Sequence, residues 1–162
     1  MKNIDLVVLA GGKGSRIKKF LNNLPKPMAK FNEIYFLQYL INLFSKYPIN
    51  RIYILTGYKN KIIFKNFHNK TFNFIKVICV KENKFMGTGG SLFRLRKKLK
   101  NFILVNGDTI FDINLNNFIK SLKKEKLGSI ALTQNKKNIH NYKLNNLNLK
   151  NNSLVYQKKS KL

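Results

Sequence analysis

The stretch Asp5-Leu6-Val7-Val8-Leu9-Ala10-Gly11-Gly12-Lys13-Gly14-Ser15-Arg16 decides the fold: a short apolar run stops in glycines and ends on an arginine. An apolar run of this length closed by a turn signal reads as a buried strand. Gly11, Gly12 and Gly14 carry no Cβ, so the backbone turns sharply, takes positive φ and brings its N–H groups against an anionic ligand. Lys13 and Arg16 add two positive charges at the same place. Two familiar phosphate fingerprints fail here. A P-loop puts four residues between its first glycine and Gly-Lys-Ser/Thr, whereas Lys13 precedes Gly14 and Ser15; the dinucleotide fingerprint fits Gly12 and Gly14 but finds Ile17 at its third glycine. The plain alternative is a strand-to-helix turn with a solvated lysine and arginine.

With 162 residues, 44% of them hydrophobic, the chain suits one domain with a real core. A domain near this size buries roughly 70% of the surface its unfolded chain exposes. No apolar run reaches the length of a membrane span, and residues 6–10 are too short for a signal-peptide core, so the expected location is the cytoplasm. The single cysteine, Cys79, has no internal disulfide partner and reads as a small buried hydrophobe. Lys and Arg number 32 against 6 acids, a formal charge of +26. Such a balance usually raises nucleic-acid binding. Here only Arg16, Arg51, Arg94 and Arg96 are arginines, and the lysines are spread among Asn, Ile and Phe, all residues with A/T-rich codons. A biased genome accounts for that pattern, so no specific nucleic-acid partner is expected.

Scarcity makes the acids informative: Asp5, Glu33, Glu82, Asp108, Asp112 and Glu125 are all there are, so any metal site draws on them. Strand-like segments at residues 51–56, 72–80, 102–108 and 129–133 alternate with helical patterns at 35–44, 60–67, 92–99 and 115–124. Pro25 and Pro27 hold residues 24–28 extended around Lys26. A second glycine-rich turn, Gly87-Thr88-Gly89-Gly90, opens the helix over 92–99. This alternation predicts a parallel α/β sheet covered on both faces. In such sheets ligands sit beyond the carboxyl ends of the strands, where the Gly11 loop, the Gly87 turn and Asp108 all fall. Residues 1–135 are thus expected to form the α/β domain that carries the phosphate-binding loop. Residues 136–162 form a separate, Asn/Lys-rich segment in which Tyr142-Lys143-Leu144 and Leu154-Val155-Tyr156 are either short strands or tail.

Four motifs in this order, Leu9 to Arg16, Pro25-Lys26-Pro27, Gly87-Thr88-Gly89-Gly90 and Asn106-Gly107-Asp108, resemble those of the sugar-1-phosphate nucleotidyltransferase family over residues 3–135. The wording is most similar to its heptose- or mannose-1-phosphate guanylyltransferase branch. The resemblance implies an α/β three-layer sandwich with a mostly parallel sheet, the Rossmann-like nucleotide-diphospho-sugar transferase fold, incomplete at the C-terminus. It implies a nucleoside triphosphate, GTP in that branch, and a sugar 1-phosphate as partners, and a role in nucleotide-sugar biosynthesis for cell-surface polysaccharide. It also implies residue roles. Leu9, Ala10, Gly11, Gly12, Lys13, Gly14 and Ser15 would hold the triphosphate, with Arg16 on the reacting phosphate and Lys26 clamping phosphate from the other side. Glu82, Gly87 and Thr88 would line base and ribose, and Asp108 would hold Mg²⁺. The family continues with a Glu-Lys segment that grips the sugar phosphate; Tyr156-Gln157-Lys158-Lys159 stands in its place, with Lys159 as the sugar-phosphate contact. Asp112 reads as a helix cap, while His68 and His140 read as uninvolved.

Three readings follow from the sequence. The first is an active nucleotidyltransferase domain, alone or as a homo-oligomer in which a second copy covers exposed strand edges. The second is a shortened relative that holds nucleotide without turnover, and the third is a basic nucleic-acid-binding module.

Overall fold

A computed structural model describes residues 4–82, 87–111, 113–121, 128–129, 131, 147–150 and 153–156. The chain divides into two compact units, Met1–Asn116 and Asn117–Leu162. The first is built on a five-stranded sheet. Its strands are β1 (Ile4–Ala10), β4 (Ile49–Thr56), β6 (Ile75–Lys81), β7 (Phe102–Asn106) and the two-residue β5 (Thr71–Phe72). They lie in the order β5-β6-β4-β1-β7. β1 is parallel to β4 on one side and to β7 on the other, β4 is parallel to β6, and only β5 runs antiparallel. The α/β architecture with a mostly parallel sheet is therefore as the sequence predicts.

Beyond Asp5, β1 can be apolar without interruption from Leu6 to Ala10 because both of its faces are covered. Leu6, Val7 and Val8 are wholly buried. One face carries Val7, Tyr53 and Leu55, with Leu9, Ile78 and Val80 beside them, and packs against Leu92, Leu95 and Leu99. On the opposite face Ile52, Ile54, Val77 and Cys79 are equally withdrawn from water. Helices α1 (Phe36–Phe44) and α2 (Asn60–Phe67) add Leu37, Leu40, Ile41 and Phe44, and Ile63 and Phe67, to the core. The spacing in α1 places those four side chains on one stripe. Cys79 is buried as expected, and that burial pushes its thiol up to about 12.

Several elements differ from the sequence expectation, each for a local reason. The strand expected over 72–80 is a hairpin: β5 turns into β6 through Asn73 (φ 46°) and Phe74 (φ 67°). A second tight hairpin, β2 (Lys30–Phe31) to β3 (Ile34–Tyr35), turns through Asn32 (φ 46°) and Glu33 (φ 65°). Both are two-residue turns with two positive φ angles, the form that suits the twist of antiparallel strands. The segment around Lys26 is not extended throughout. Pro25 is extended (φ −70°, ψ 151°), but Lys26–Met28 winds into one tight 3₁₀ turn. Proline at the start of such a turn gives up no hydrogen bond, since the first N–H groups lack intrahelical acceptors. The helix expected over 92–99 starts and ends earlier, as α3 (Gly87–Phe93), and Arg94 to Lys98 continue as i→i−3 turns. β7 ends at Asn106 and alternates buried and exposed residues, so it is a sheet edge among the described residues rather than a fully buried strand.

Helix α4 (Leu115–Lys120) falls in the segment expected to be helical up to residue 124. In the second unit, β8 (Leu147–Lys150) and β9 (Ser153–Tyr156) form an antiparallel hairpin, so Leu154-Val155-Tyr156 is strand. The strand expected over 129–133 and the segment 142–144 lie outside the described residues or largely so. No helix among the described residues is long and apolar enough to cross a membrane.

Candidate nucleotide site

The parallel register brings four strand ends to one edge: Ala10 lies beside Thr56, Thr56 beside Lys81, and Leu9 beside Asn106. Backbone hydrogen bonds tie the starts of the exits from β4, β6 and β7 to residues at the ends of β1 and β4. The Gly11 carbonyl accepts a hydrogen bond from Tyr58 N–H (3.1 Å). Gly57 permits this approach, because a Cβ there would stand 2.8 Å from the Gly11 oxygen. Gly11 also leaves room for the Glu82 carboxylate, whose Oε1 lies 2.9 Å from where a Gly11 Cβ would be. Glu82 follows β6 directly, and its N–H donates to Thr56 O at 2.8 Å. The Gly11 peptide is thus held between the start of the β4 exit loop and an acidic side chain from the β6 exit.

Two further contacts complete the loop. Gly14 takes φ 62°, and a Cβ there would come within 2.9 Å of Lys26 Cβ, so the glycine lets the Lys26 turn pack onto the loop. Gly107 N–H donates to Leu9 O (2.8 Å), which seats the β7 exit against the end of β1. Beyond it, Asp108 accepts from Lys26 Nζ on Oδ2 at 2.5 Å and from Thr109 Oγ1 on Oδ1 at 3.1 Å. The ion pair is 36% and 35% exposed on its two sides, open to solvent and to a ligand.

Asp108 therefore fits a hard divalent cation. Its carboxylate stands open at the sheet edge and already faces one cationic group, the Lys26 ammonium. Among the described residues no three His, Cys, Asp or Glu side chains gather into a metal cluster. A magnesium ion held by one carboxylate and by ligand phosphates needs no such cluster.

The structure brings Leu9, Ala10, Gly11, Gly14, Lys26, Glu82 and Asp108 to one edge. Gly12, Lys13 and Ser15 are on the same loop; Gly12 has no heavy atom within 4 Å of a notional Cβ, leaving open space above its backbone. Gly87 (φ 67°) and Thr88 form the first turn of α3. Arg16 begins its side chain from a 3₁₀ segment, Ser15–Phe20, but the side chain itself lies outside the described residues, as do Asp112, His140 and Lys159. His68 accepts a hydrogen bond from Cys79 N on its Nδ1, a structural use. Sequence reasoning missed the parts played by Gly57, Tyr58 and Ser91. Ser91 is buried in α3, with its Oγ 2.5 Å from Glu82 Oε1. A signal for Gly57 existed, since a glycine directly after a predicted parallel strand sits at the ligand edge. Ser91 gave none. A separate apolar cleft of about 300 Å³, lined by Leu92, Phe93, Arg96, Leu99 and Phe102, shares none of these groups.

The profile of the family described as "Nucleotidyl transferase" matches residues 6–142. The chain belongs to this family. Among its curated relatives, the D-glycero-alpha-D-manno-heptose 1-phosphate guanylyltransferase of Campylobacter jejuni is 35% identical over 113 residues, 69% of this chain and 51% of that protein. The enzyme of the same name from Aneurinibacillus thermoaerophilus is 32% identical over 69% of this chain and 49% of its own length. The chain spans about half the length of these relatives. Among solved structures, HddC from Yersinia pseudotuberculosis superposes with a TM-score of 0.65 at 33% identity, covering 73% of this chain and 53% of HddC. The same protein has also been solved complexed with GMP-PN. A UDP-glucose pyrophosphorylase from Acinetobacter baumannii, 14% identical with a TM-score of 0.63, shares the fold of this nucleotidyl transferase chain.

Proposed function

We propose that the chain transfers a nucleoside monophosphate from a nucleoside triphosphate to a sugar 1-phosphate, releasing pyrophosphate. GTP is the proposed donor and a heptose or mannose 1-phosphate the acceptor. The observation that carries this reading is the Gly11–Gly14 loop clasped between Glu82 and Lys26, with Asp108 alongside. Relatives named heptose-1-phosphate guanylyltransferases support the choice of base and sugar.

In the proposed reaction a phosphate oxygen of the sugar 1-phosphate attacks the α-phosphorus. The bond from that phosphorus to the bridging α–β oxygen breaks, and pyrophosphate departs with the electron pair. The attacking group is already an anion, so no side chain has to remove a proton from it. Catalysis is then positioning plus stabilisation of spreading negative charge. Backbone N–H groups of Gly11, Gly12 and Gly14, with Lys13 and Ser15, hold the triphosphate, and Leu9 and Ala10 fix the loop's entry. Arg16 and Lys26 meet the charge that develops on the transferring and leaving phosphates. Glu82, Gly87 and Thr88 face base and ribose. Asp108 is the residue to hold Mg²⁺, which when bound supplies further charge neutralisation. Asp108, which in the structure faces the Lys26 ammonium, would then pair with the metal instead, and Lys26 would be available to phosphate. Lys159 is the proposed sugar-phosphate contact. The proposed location is the cytoplasm, where soluble, phosphorylated substrates of this kind would be met.

The test is pyrophosphate release from a panel of nucleoside triphosphates and sugar 1-phosphates with Mg²⁺. Turnover with GTP and a heptose or mannose 1-phosphate, abolished by Arg16→Ala, is the expected result. No turnover with any pair, and no nucleotide bound by the chain, would overturn the proposal.

A further inference from the structure

Ser91 is 3% exposed, yet its hydroxyl sits in a polar contact that no helix requires. Its one proton lies between two acceptors, the Gly87 carbonyl one turn back at 2.8 Å and Glu82 Oε1 at 2.5 Å. The first contact is an ordinary helical serine bond to the i−4 carbonyl. The second crosses from α3 to the residue after β6, and it is the shorter of the two. Glu82 Oε2 has no hydrogen-bond partner among the described residues, so Ser91 engages one carboxylate oxygen and leaves the other open. That bond holds the carboxylate beside the loop, where the missing side chain of Gly11 leaves room for it: a Cβ there would stand 2.9 Å from Oε1.

An ionised carboxylate is acceptor-only, with two oxygens side by side. Guanine is the common base whose pairing edge offers two adjacent donors, N1–H and the exocyclic amine. Uracil offers one donor flanked by two carbonyl oxygens, and those would face the carboxylate unfavourably. We infer that Ser91 is a positioning residue that holds the Glu82 carboxylate over Gly11 as a paired acceptor for guanine, and so sets which nucleotide the chain selects. This rests on the reading that a nucleoside triphosphate lies along the Gly11 loop.

The experiment is calorimetric titration of the full chain with three probes: a non-hydrolysable GTP analogue, the matching UTP analogue, and tripolyphosphate, which has no base. The wild-type chain is expected to favour the GTP analogue. Ser91→Ala lowers that affinity about tenfold, the scale of one hydrogen bond to a charged group. It leaves the UTP analogue and tripolyphosphate within about twofold of wild type. Glu82→Gln, whose amide presents a donor beside its acceptor, narrows the GTP-to-UTP ratio without needing any change at Ser91. Loss of all three affinities together in a folded Ser91→Ala chain would mean a purely structural serine and would overturn the inference. So would an unchanged base ratio in Glu82→Gln, which decides the matter if Ser91→Ala does not fold. Failure of the wild-type chain to bind even tripolyphosphate refutes the triphosphate site itself; base selection fails alone when tripolyphosphate binds and both nucleotides bind equally.

Discussion

Gly57→Ala is the sharpest probe of how the site is built, because Gly57 is given no contact with the ligand in the proposed reaction. Its φ is outside the left-handed region, so added backbone strain is not the issue. The issue is space: the new methyl would lie 2.8 Å from Gly11 O, 3.2 Å from Gly11 Cα and 3.4 Å from Gly11 C. All three atoms are backbone, so no side chain can swing aside. Recovering ordinary van der Waals separation requires the Gly11 peptide to retreat by about half an ångström. Overpacking of this kind costs about 1–3 kcal/mol. At roughly 2–4 °C per kcal/mol for a chain of this size, the melting temperature falls by about 2–12 °C. Gly11 is also crowded by Glu82, whose Oε1 lies 2.9 Å from where a Gly11 Cβ would be. The displacement therefore passes into the loop, and affinity for a GTP analogue drops about tenfold, since misplacement by 1 Å costs on the order of a hundredfold. Melting followed by circular dichroism and titration of the analogue read the two effects. Gly12→Ala is the control: nothing lies within 4 Å of its notional Cβ, so its melting stays within about 1 °C of wild type while binding still suffers. A Gly57→Ala chain that melts and binds like wild type would refute the account of the loop as a clasped peptide.

Other predictions follow from the charges and the core. The Lys26–Asp108 pair is over a third exposed on each side, so Lys26→Met should cost less than about 1 kcal/mol of stability. In the pyrophosphate-release assay the same variant should lose about a hundredfold in rate, and a rate within threefold of wild type would remove Lys26 from the proposed chemistry. Asp108→Asn should weaken nucleotide affinity in the presence of Mg²⁺ and leave affinity in chelator nearly unchanged, as read by paired titrations. Cys79 supplies a pH test. Its folded thiol is held at about 12 against an ordinary 9.0, so as pH rises past 9 the unfolded chain gives up its proton first and stability falls. The unfolding free energy from urea titrations should therefore drop between pH 7 and 10 by about 1.4 kcal/mol more in wild type than in Cys79→Ala. An identical pH response in both would mean the thiol is not withdrawn from water.

What the sequence disclosed depended on how local the cause was. The run Leu6 to Ala10 reads as a buried strand because it is too short for a buried helix and closes in glycines. The place of its loop and of Asp108 was legible because parallel α/β order sends every strand end to the same edge, whereas Lys26 and Glu82 were placed at the site only through the resemblance to the family. The boundaries of α3 were not, because glycines are poor helix formers. Within α3 Ser91 bonds back to Gly87 O and across to Glu82, and the second of these is a tertiary contact that no short window of sequence contains. The Asn32-Glu33 and Asn73-Phe74 turns escaped for a different reason. Each lacks the glycine that usually marks a tight hairpin, and Asn alone is a weaker signal for positive φ.

The position of β1 has a consequence for synthesis. Its two edges are filled by strands that leave the ribosome much later, β4 pairing Asp5 with Arg51 and β7 pairing Asp5 with Phe102. Closing loops of such length carries an entropic cost before any contact is gained, and parallel pairing across them is slow. A nascent chain that has reached β4 still exposes one full edge of Leu6 to Leu9, and the floor beneath the glycine loop is complete only once residues 102–106 arrive. Throughout that interval the oldest strand is the stickiest one, and it is the segment a holdase chaperone would grip.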